Sequence, residues 1–78
     1  MSTTYDQLVA ILTKLHDAPT DRISPEATFA GLDVDSLTMV EISMRIERDL
    51  GVPVGDNELQ EDLTLDATAR LIDSKLAQ

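Results

Sequence analysis

Asp35-Ser36-Leu37-Thr38-Met39-Val40-Glu41-Ile42-Ser43-Met44-Arg45-Ile46-Glu47-Arg48-Asp49-Leu50-Gly51 reads as one helix with both ends marked. Asp35 supplies the side-chain acceptor favoured at an N-cap, and Gly51 stands where a chain leaves a helix, so Ser36–Leu50 is predicted helical. At about 100° per residue, Met39, Ile42, Ile46 and Leu50 fall on one face, while Leu37, Val40 and Met44 form a second apolar stripe roughly opposite. One stripe can face a core, and the other is left over. Ser36 lies beside this second stripe, and Glu41, Glu47 and Arg48 border it. An apolar strip with an acidic rim next to a helix N-terminus has the make-up of a docking surface.

Working outward, an earlier helix is predicted with Thr4 as its cap and Gln7 completing a capping box. Tyr5, Leu8, Leu12 and Leu15 then recur at helical spacing, widened by Val9 and Ile11, until a stop near His16 before the breaker Asp17-Ala18-Pro19-Thr20. A long connection over residues 17–35 contains Pro19, Pro25 and Gly31, with Ile23, Phe29 and Leu32 expected to pin it to the core. Beyond Gly51-Val52-Pro53-Val54-Gly55, Asp56 is expected to cap a short helical turn through Glu61. The last helix is expected to start near Thr64 or Leu65 and to place Leu65, Ala69, Ile72 and Leu76 on one face. No segment shows sustained strand alternation. The expected fold is all-α, a small four-helix bundle with a long first loop and a short third helix.

Composition limits what such a bundle can do. Seventy-eight residues make a single domain spanning 1–78. With only Tyr5 and Phe29 as aromatics and no Trp, aliphatic packing must carry the core. Fifteen acidic residues against six basic ones give a formal net charge of −9, which argues against nucleic acid or anionic membranes and for basic partners. The excess is concentrated, because residues 33–66 alone hold ten acids and two bases. The absence of cysteine excludes a disulfide framework, a redox pair and a thiolate metal site. No apolar run approaches transmembrane length, and the opening residues lack the basic and apolar regions of a signal peptide, so a soluble cytoplasmic protein is expected.

Enzyme chemistry finds little purchase. Nucleophilic hydrolysis needs a serine beside a base, and the only histidine, His16, is expected to cap carbonyls at the end of the first helix instead. The three glycines match neither a dinucleotide loop nor a P-loop. Asp33-Val34-Asp35-Ser36 resembles the start of a calcium loop but lacks the glycine at position 6 and the glutamate at position 12, so no metal site is assigned. Asp56, Glu58, Glu61 and Asp62 are expected to form a solvated face. Ser36 remains. It can be a helix-start serine that tidies free N–H groups, or an acceptor for a phosphate-containing group, which would face unsatisfied amides and the positive end of the helix dipole.

The stretch Gly31-Leu32-Asp33-Val34-Asp35-Ser36-Leu37-Thr38-Met39-Val40-Glu41-Ile42 closely resembles the prosthetic-group site of acyl carrier proteins, whose core is Asp-Ser-Leu opening a helix. The likeness extends over most of the chain, through Ile23-Ser24-Pro25-Glu26-Ala27-Thr28-Phe29 in the first loop, the exit Gly51-Val52-Pro53-Val54, and the last helix. The resemblance implies a carrier and not an enzyme. Ser36 would receive 4′-phosphopantetheine from coenzyme A through a magnesium-dependent phosphopantetheinyl transferase, and the arm's thiol would hold acyl groups as thioesters. The family's partner-recognition positions fall on Asp35, Glu41 and Glu47 (acidic) and on Leu37, Val40 and Met44 (apolar). Acyltransferase and ketosynthase-type enzymes with basic docking patches are the implied partners of a monomer. Thr38 stands where many fatty-acid carriers have an acid, and Arg48 interrupts the acidic rim. The wording is closest to discrete carriers of dissociated fatty-acid or polyketide systems.

Two rivals stand beside this reading. A peptidyl or aminoacyl carrier would use Ser36 in the same way but receive cargo from an adenylating enzyme. A small acidic interaction domain would carry no prosthetic group at all.

Overall fold

The computed structural model describes residues 3–16, 20–55 and 58–77. They form three α-helices, α1 (Thr4–Leu15), α2 (Ser36–Leu50) and α3 (Leu65–Leu76), with short 3₁₀ turns at Thr20–Arg22 and Ala30–Leu32 in the first connection. The all-helical class therefore holds.

α1 is capped one residue earlier than the sequence suggested. Thr3 is the N-cap: its hydroxyl accepts the Asp6 N–H at 3.1 Å, and the Asp6 carboxylate accepts the Thr3 N–H at 3.3 Å. Adjacent threonines offer two frames, and the frame that puts a carboxylate three residues on wins over the one offering the Gln7 amide, because the helix N-terminus favours negative charge. The freed Thr4 hydroxyl donates to the Asp73 carboxylate on α3. The helix ends at His16, its C-cap, as expected. The breaker Asp17-Ala18-Pro19 lies outside the described residues.

Leu8, Ile11 and Leu12 of α1 are buried in one core cluster with residues of α2, α3 and the Ala30–Leu32 turn. α1 lies against both α2 and α3. From the first connection, Phe29 and Leu32 enter this core and Ile23 is half-buried, as expected, but Val34 is also buried. The connection is not structureless. The Phe29 carbonyl accepts the N–H groups of both Leu32 and Val34 at 3.1 Å. A single antiparallel bridge pairs Thr28 with Thr64, and the N–H of Ala30 reaches the Glu61 carbonyl at 2.9 Å. These bonds moor the loop to the segment that leads into α3.

α2 begins and ends where its caps predict. Asp35 accepts the Thr38 N–H at 2.8 Å, and Gly51 takes the left-handed conformation, with φ 69°, that a side chain would resist. Met39, Ile42 and Ile46 are buried, with Leu50 half-buried at the end of their face. The opposite stripe faces solvent: Leu37 is 68%, Val40 43% and Met44 64% exposed.

The short third helix is the least regular part. Asp56, its expected cap, and Asn57 lie outside the described residues. Among the described ones, a turn is closed by the Glu58 and Leu59 N–H groups on the Gly55 carbonyl, at 2.9 and 3.1 Å. The Glu58 carboxylate reaches back to the Gly55 N–H at 3.1 Å, so Gly55 acts as the cap, and no α-helix is formed over 58–61. In α3 the Thr64 hydroxyl caps the Ala67 N–H at 3.0 Å, and Leu65, Ala69 and Ile72 are buried. Leu76, expected on that face, is 51% exposed. α1 starts opposite Asp73, so Leu76 runs past the packed length.

Exposed acids dominate the surface from residue 33 onward, including Glu41, Glu47, Glu61 and Asp62. Their mutual repulsion opposes the compact state and is screened by ions. Moderate salt or millimolar divalent cation is expected to raise the melting temperature. A thermal-unfolding titration that stays flat or falls would contradict this.

Candidate functional site

Ser36 is the first residue of α2, exposed, directly after its capping aspartate. The Asp35 carboxylate takes the Thr38 N–H and the Asp35 carbonyl takes the Met39 N–H at 3.0 Å. Among the described residues no acceptor meets the N–H of Ser36 or Leu37, and the Ser36 hydroxyl has no hydrogen-bond partner. Free donors and a free hydroxyl thus sit together at the positive end of a fifteen-residue helix.

The route to this point is fixed by the first connection. Asp33 has φ 61°, a left-handed conformation that aspartate tolerates better than most residues. It turns the chain after Ala30–Leu32 so that Val34 enters the core and Asp35 and Ser36 emerge. Arg22 donates to the Gly31 carbonyl at 2.6 Å and lies 4.0 Å from the Asp33 carboxylate. The ring of His16 donates through Nε2 to the Leu32 carbonyl at 2.7 Å. His16 does cap a carbonyl, but one in the loop and not in its own helix, and this secures the loop four residues before Ser36.

Ser36 opens onto a groove of about 550 Å³ between α2 and the segment before α3, lined by Ser36, Met39, Val40, Ser43, Leu59, Gln60, Glu61 and Asp62. Its floor is apolar and its outer wall acidic. Nothing local in the sequence foretold the second wall, since it comes from a segment more than twenty residues away; an isolated Leu59 among acids was the only sign. Glu58, expected on a solvated face, is instead paired with Lys75 of α3 at 2.8 Å, which ties this wall to the last helix. Glu61 and Asp62 remain exposed.

Asp35, Leu37, Val40, Glu41, Met44 and Glu47 all emerge on the solvent side of α2 with Ser36. The Glu41 and Glu47 side chains make no ion pair among the described residues. No cluster of three or more potential metal ligands occurs among the described residues. No helix there is long and apolar enough to cross a membrane.

Among the described residues, two carboxyls are held below the usual carboxylate range. For Asp35 the main cause is the Thr38 N–H, followed by the Thr38 hydroxyl. For Glu58 it is Lys75, followed by the Gly55 N–H. A lowered folded-state pKa contributes stability above the unfolded value, and that contribution is lost as pH falls through the folded value. Asparagine at position 35 keeps a cap acceptor but cannot titrate. The melting-temperature advantage of the wild type over Asp35→Asn is therefore expected to be present near neutrality and to shrink as pH falls below about 4. An advantage that grows on acidification would contradict this assignment.

The phosphopantetheine attachment site family matches residues 6–72. The chain is 35% identical over 72 residues to polyketide-8 synthase acyl carrier protein 2 of Streptomyces avermitilis, covering 91% of this chain and 83% of that protein. It is 35% identical over 57 residues to an acyl carrier protein of Thermobifida fusca, covering 72% of each. It also resembles a part of methylphloroacetophenone synthase of Cladonia uncialis, at 40% identity over 57 residues, where it spans only 2% of that protein's length. A free hydroxyl among unpaired amides at the mouth of a groove suits a phosphate-linked arm, and the family match removes the rival without a prosthetic group. The chain belongs to the phosphopantetheine attachment family, among its acyl carriers, which hold acyl groups on a covalent 4′-phosphopantetheine and catalyse no reaction themselves.

Proposed function

We propose that Ser36 is the residue that bears the arm, and that Asp35, Leu37, Val40, Glu41, Met44 and Glu47 form the face read by partner enzymes. In this reading residues 1–78 are a discrete carrier domain acting in the cytoplasm in fatty-acid or polyketide synthesis. A short helical turn between α2 and α3 would be the bundle's fourth, abbreviated element. The observation that carries the reading is the position of Ser36: exposed, unbonded, at the first turn of α2 and at the end of a groove. Its Oγ would lose a proton and attack the pantetheine-side phosphorus of coenzyme A, breaking the pyrophosphate P–O bond and releasing adenosine 3′,5′-bisphosphate, to leave a phosphodiester whose free oxygens face the Ser36 and Leu37 amides. The helix dipole offsets repulsion from Asp33 and Asp35. When bound, the arm supplies the thiol that this cysteine-free chain lacks.

Incubation with coenzyme A, magnesium and a phosphopantetheinyl transferase tests this. After trypsin, one arm is expected on the peptide 23–45, and fragmentation is expected to put it on Ser36. An arm on Ser24 or Ser43, or none, would contradict the reading.

The partner face gives a separate expectation. Met44 is 64% exposed, so Met44→Ala should barely move the melting temperature, whereas the same truncation in a core costs about 2–5 kcal/mol. Loading by the transferase should weaken instead, because an apolar anchor inside a charged rim is where binding energy concentrates. Glu41→Lys should slow association and flatten its salt dependence, since rim charges act mainly on encounter. Early unfolding of Met44→Ala with normal loading would show that the two stripes of α2 are assigned the wrong way round.

A further inference from the structure

The basic side chains of this acidic chain are mostly spoken for. Arg45 pairs with Asp49 at 2.9 Å, Arg70 with Asp66 at 3.2 Å and Lys75 with Glu58 at 2.8 Å, while Arg22 donates to the Gly31 carbonyl. Arg48 is different. It is exposed and, among the described residues, has neither an ion pair nor a hydrogen bond for its guanidinium. The helix explains why. Its neighbours three and four positions away are Arg45, Met44, Gly51 and Val52, none of them an acid, so no intrahelical pair can form.

Arg48 also sits where it will be met. It stands one turn beyond Met44, on the same side of the exposed stripe as Glu41, with Glu47 on the other side. A wholly basic groove laid on Leu37, Val40 and Met44 would satisfy Asp35, Glu41 and Glu47 but press like charge against Arg48. The face is fully complemented only by a surface that changes sign at the end next to Gly51. A cation in the last helical turn also favours the helix dipole, but that role is indifferent to what docks.

Resting on the reading of α2 as the docking face, we propose that Arg48 is a specificity-determining residue. It selects partner enzymes whose groove is basic opposite Asp35, Glu41 and Glu47 and carries a carboxylate opposite Arg48. Discrimination comes from both signs, because the unmatched charge penalises the wrong partner as much as the matched one rewards the right one.

The test uses acyl-loaded wild type, Arg48→Gln and Arg48→Glu with two sets of purified ketosynthases, one with an all-basic groove rim and one with a single Asp or Glu at the corresponding end. Wild type is expected to favour the acid-bearing set by about five- to tenfold in kcat/KM. Arg48→Gln should lose the preference and Arg48→Glu should invert it, whereas a purely helix-stabilising arginine would change melting temperature without changing the ranking. The same preference in all three proteins, or a wild type that favours the all-basic set, would overturn the proposal. So would a dimer in sedimentation that Arg48→Glu abolishes with no change in ranking, which would make a second copy of this chain the occupant. Completed loading of all three proteins with no change in ranking would overturn Arg48 alone. Failure of the wild type to load would overturn the carrier reading together with it.

Discussion

Phe29→Ala is expected to leave the protein unfolded or to lower its melting temperature by about 15 °C or more, although residue 29 lies in a connection and not in a helix. Phe29 is fully buried and is the only aromatic side chain so placed. Large aromatic truncations in cores cost about 3–5 kcal/mol, because the cavity left behind collapses only in part. A domain this small has little stability to lose, and about 1 kcal/mol shifts its melting temperature by about 4–8 °C. The damage should also reach the site. The Phe29 carbonyl holds the amides of Leu32 and Val34, and the backbone then runs through Asp33 to Ser36. Any Phe29→Ala protein that still folds should load more slowly than wild type. A melting temperature within two or three degrees of wild type, read by circular dichroism, would contradict this account of the core.

α2 was legible in the sequence because everything that defines it is local. Asp35 and Gly51 mark its ends within one turn, and its two stripes follow from spacing alone. α1 was legible to within one residue; Thr3 and Thr4 compete for the cap, and the choice turned on whether Asp6 or Gln7 closes the box. What failed depended on distant partners. Glu58 looked like one more solvated acid until Lys75, seventeen positions later, came within 2.8 Å. The groove beside Ser36 has one wall from α2 and another from residues 59–62, so no single window of sequence contains it. The left-handed backbone at Asp33 closes the 3₁₀ turn Ala30–Leu32, and with the Val34 N–H bonded back to the Phe29 carbonyl it follows from a loop conformation that no periodic pattern announces. His16 was given a carbonyl to bind, and it found one, but only the fold could say that it belongs to Leu32.

Ser36→Ala is expected to abolish loading completely and to leave the fold intact. The hydroxyl is exposed and makes no hydrogen bond among the described residues, so its removal strands no buried partner. Asp35, and not Ser36, caps the helix, and alanine is at least as good as serine inside a first turn. Thermal unfolding of the variant should therefore overlay the wild type within about 0.5 kcal/mol, the usual range for surface changes. Ser43 is a poor substitute acceptor, because it is buried and its hydroxyl donates to the Val40 carbonyl at 2.8 Å. Thr38 lies further into α2 and is half-buried.

The decisive measurement is the intact mass of wild type and Ser36→Ala after identical incubation with coenzyme A, magnesium and a phosphopantetheinyl transferase. The account predicts a gain of one phosphopantetheine per chain in the wild type and no gain in a folded Ser36→Ala protein. A full gain in the Ser36→Ala protein would contradict it.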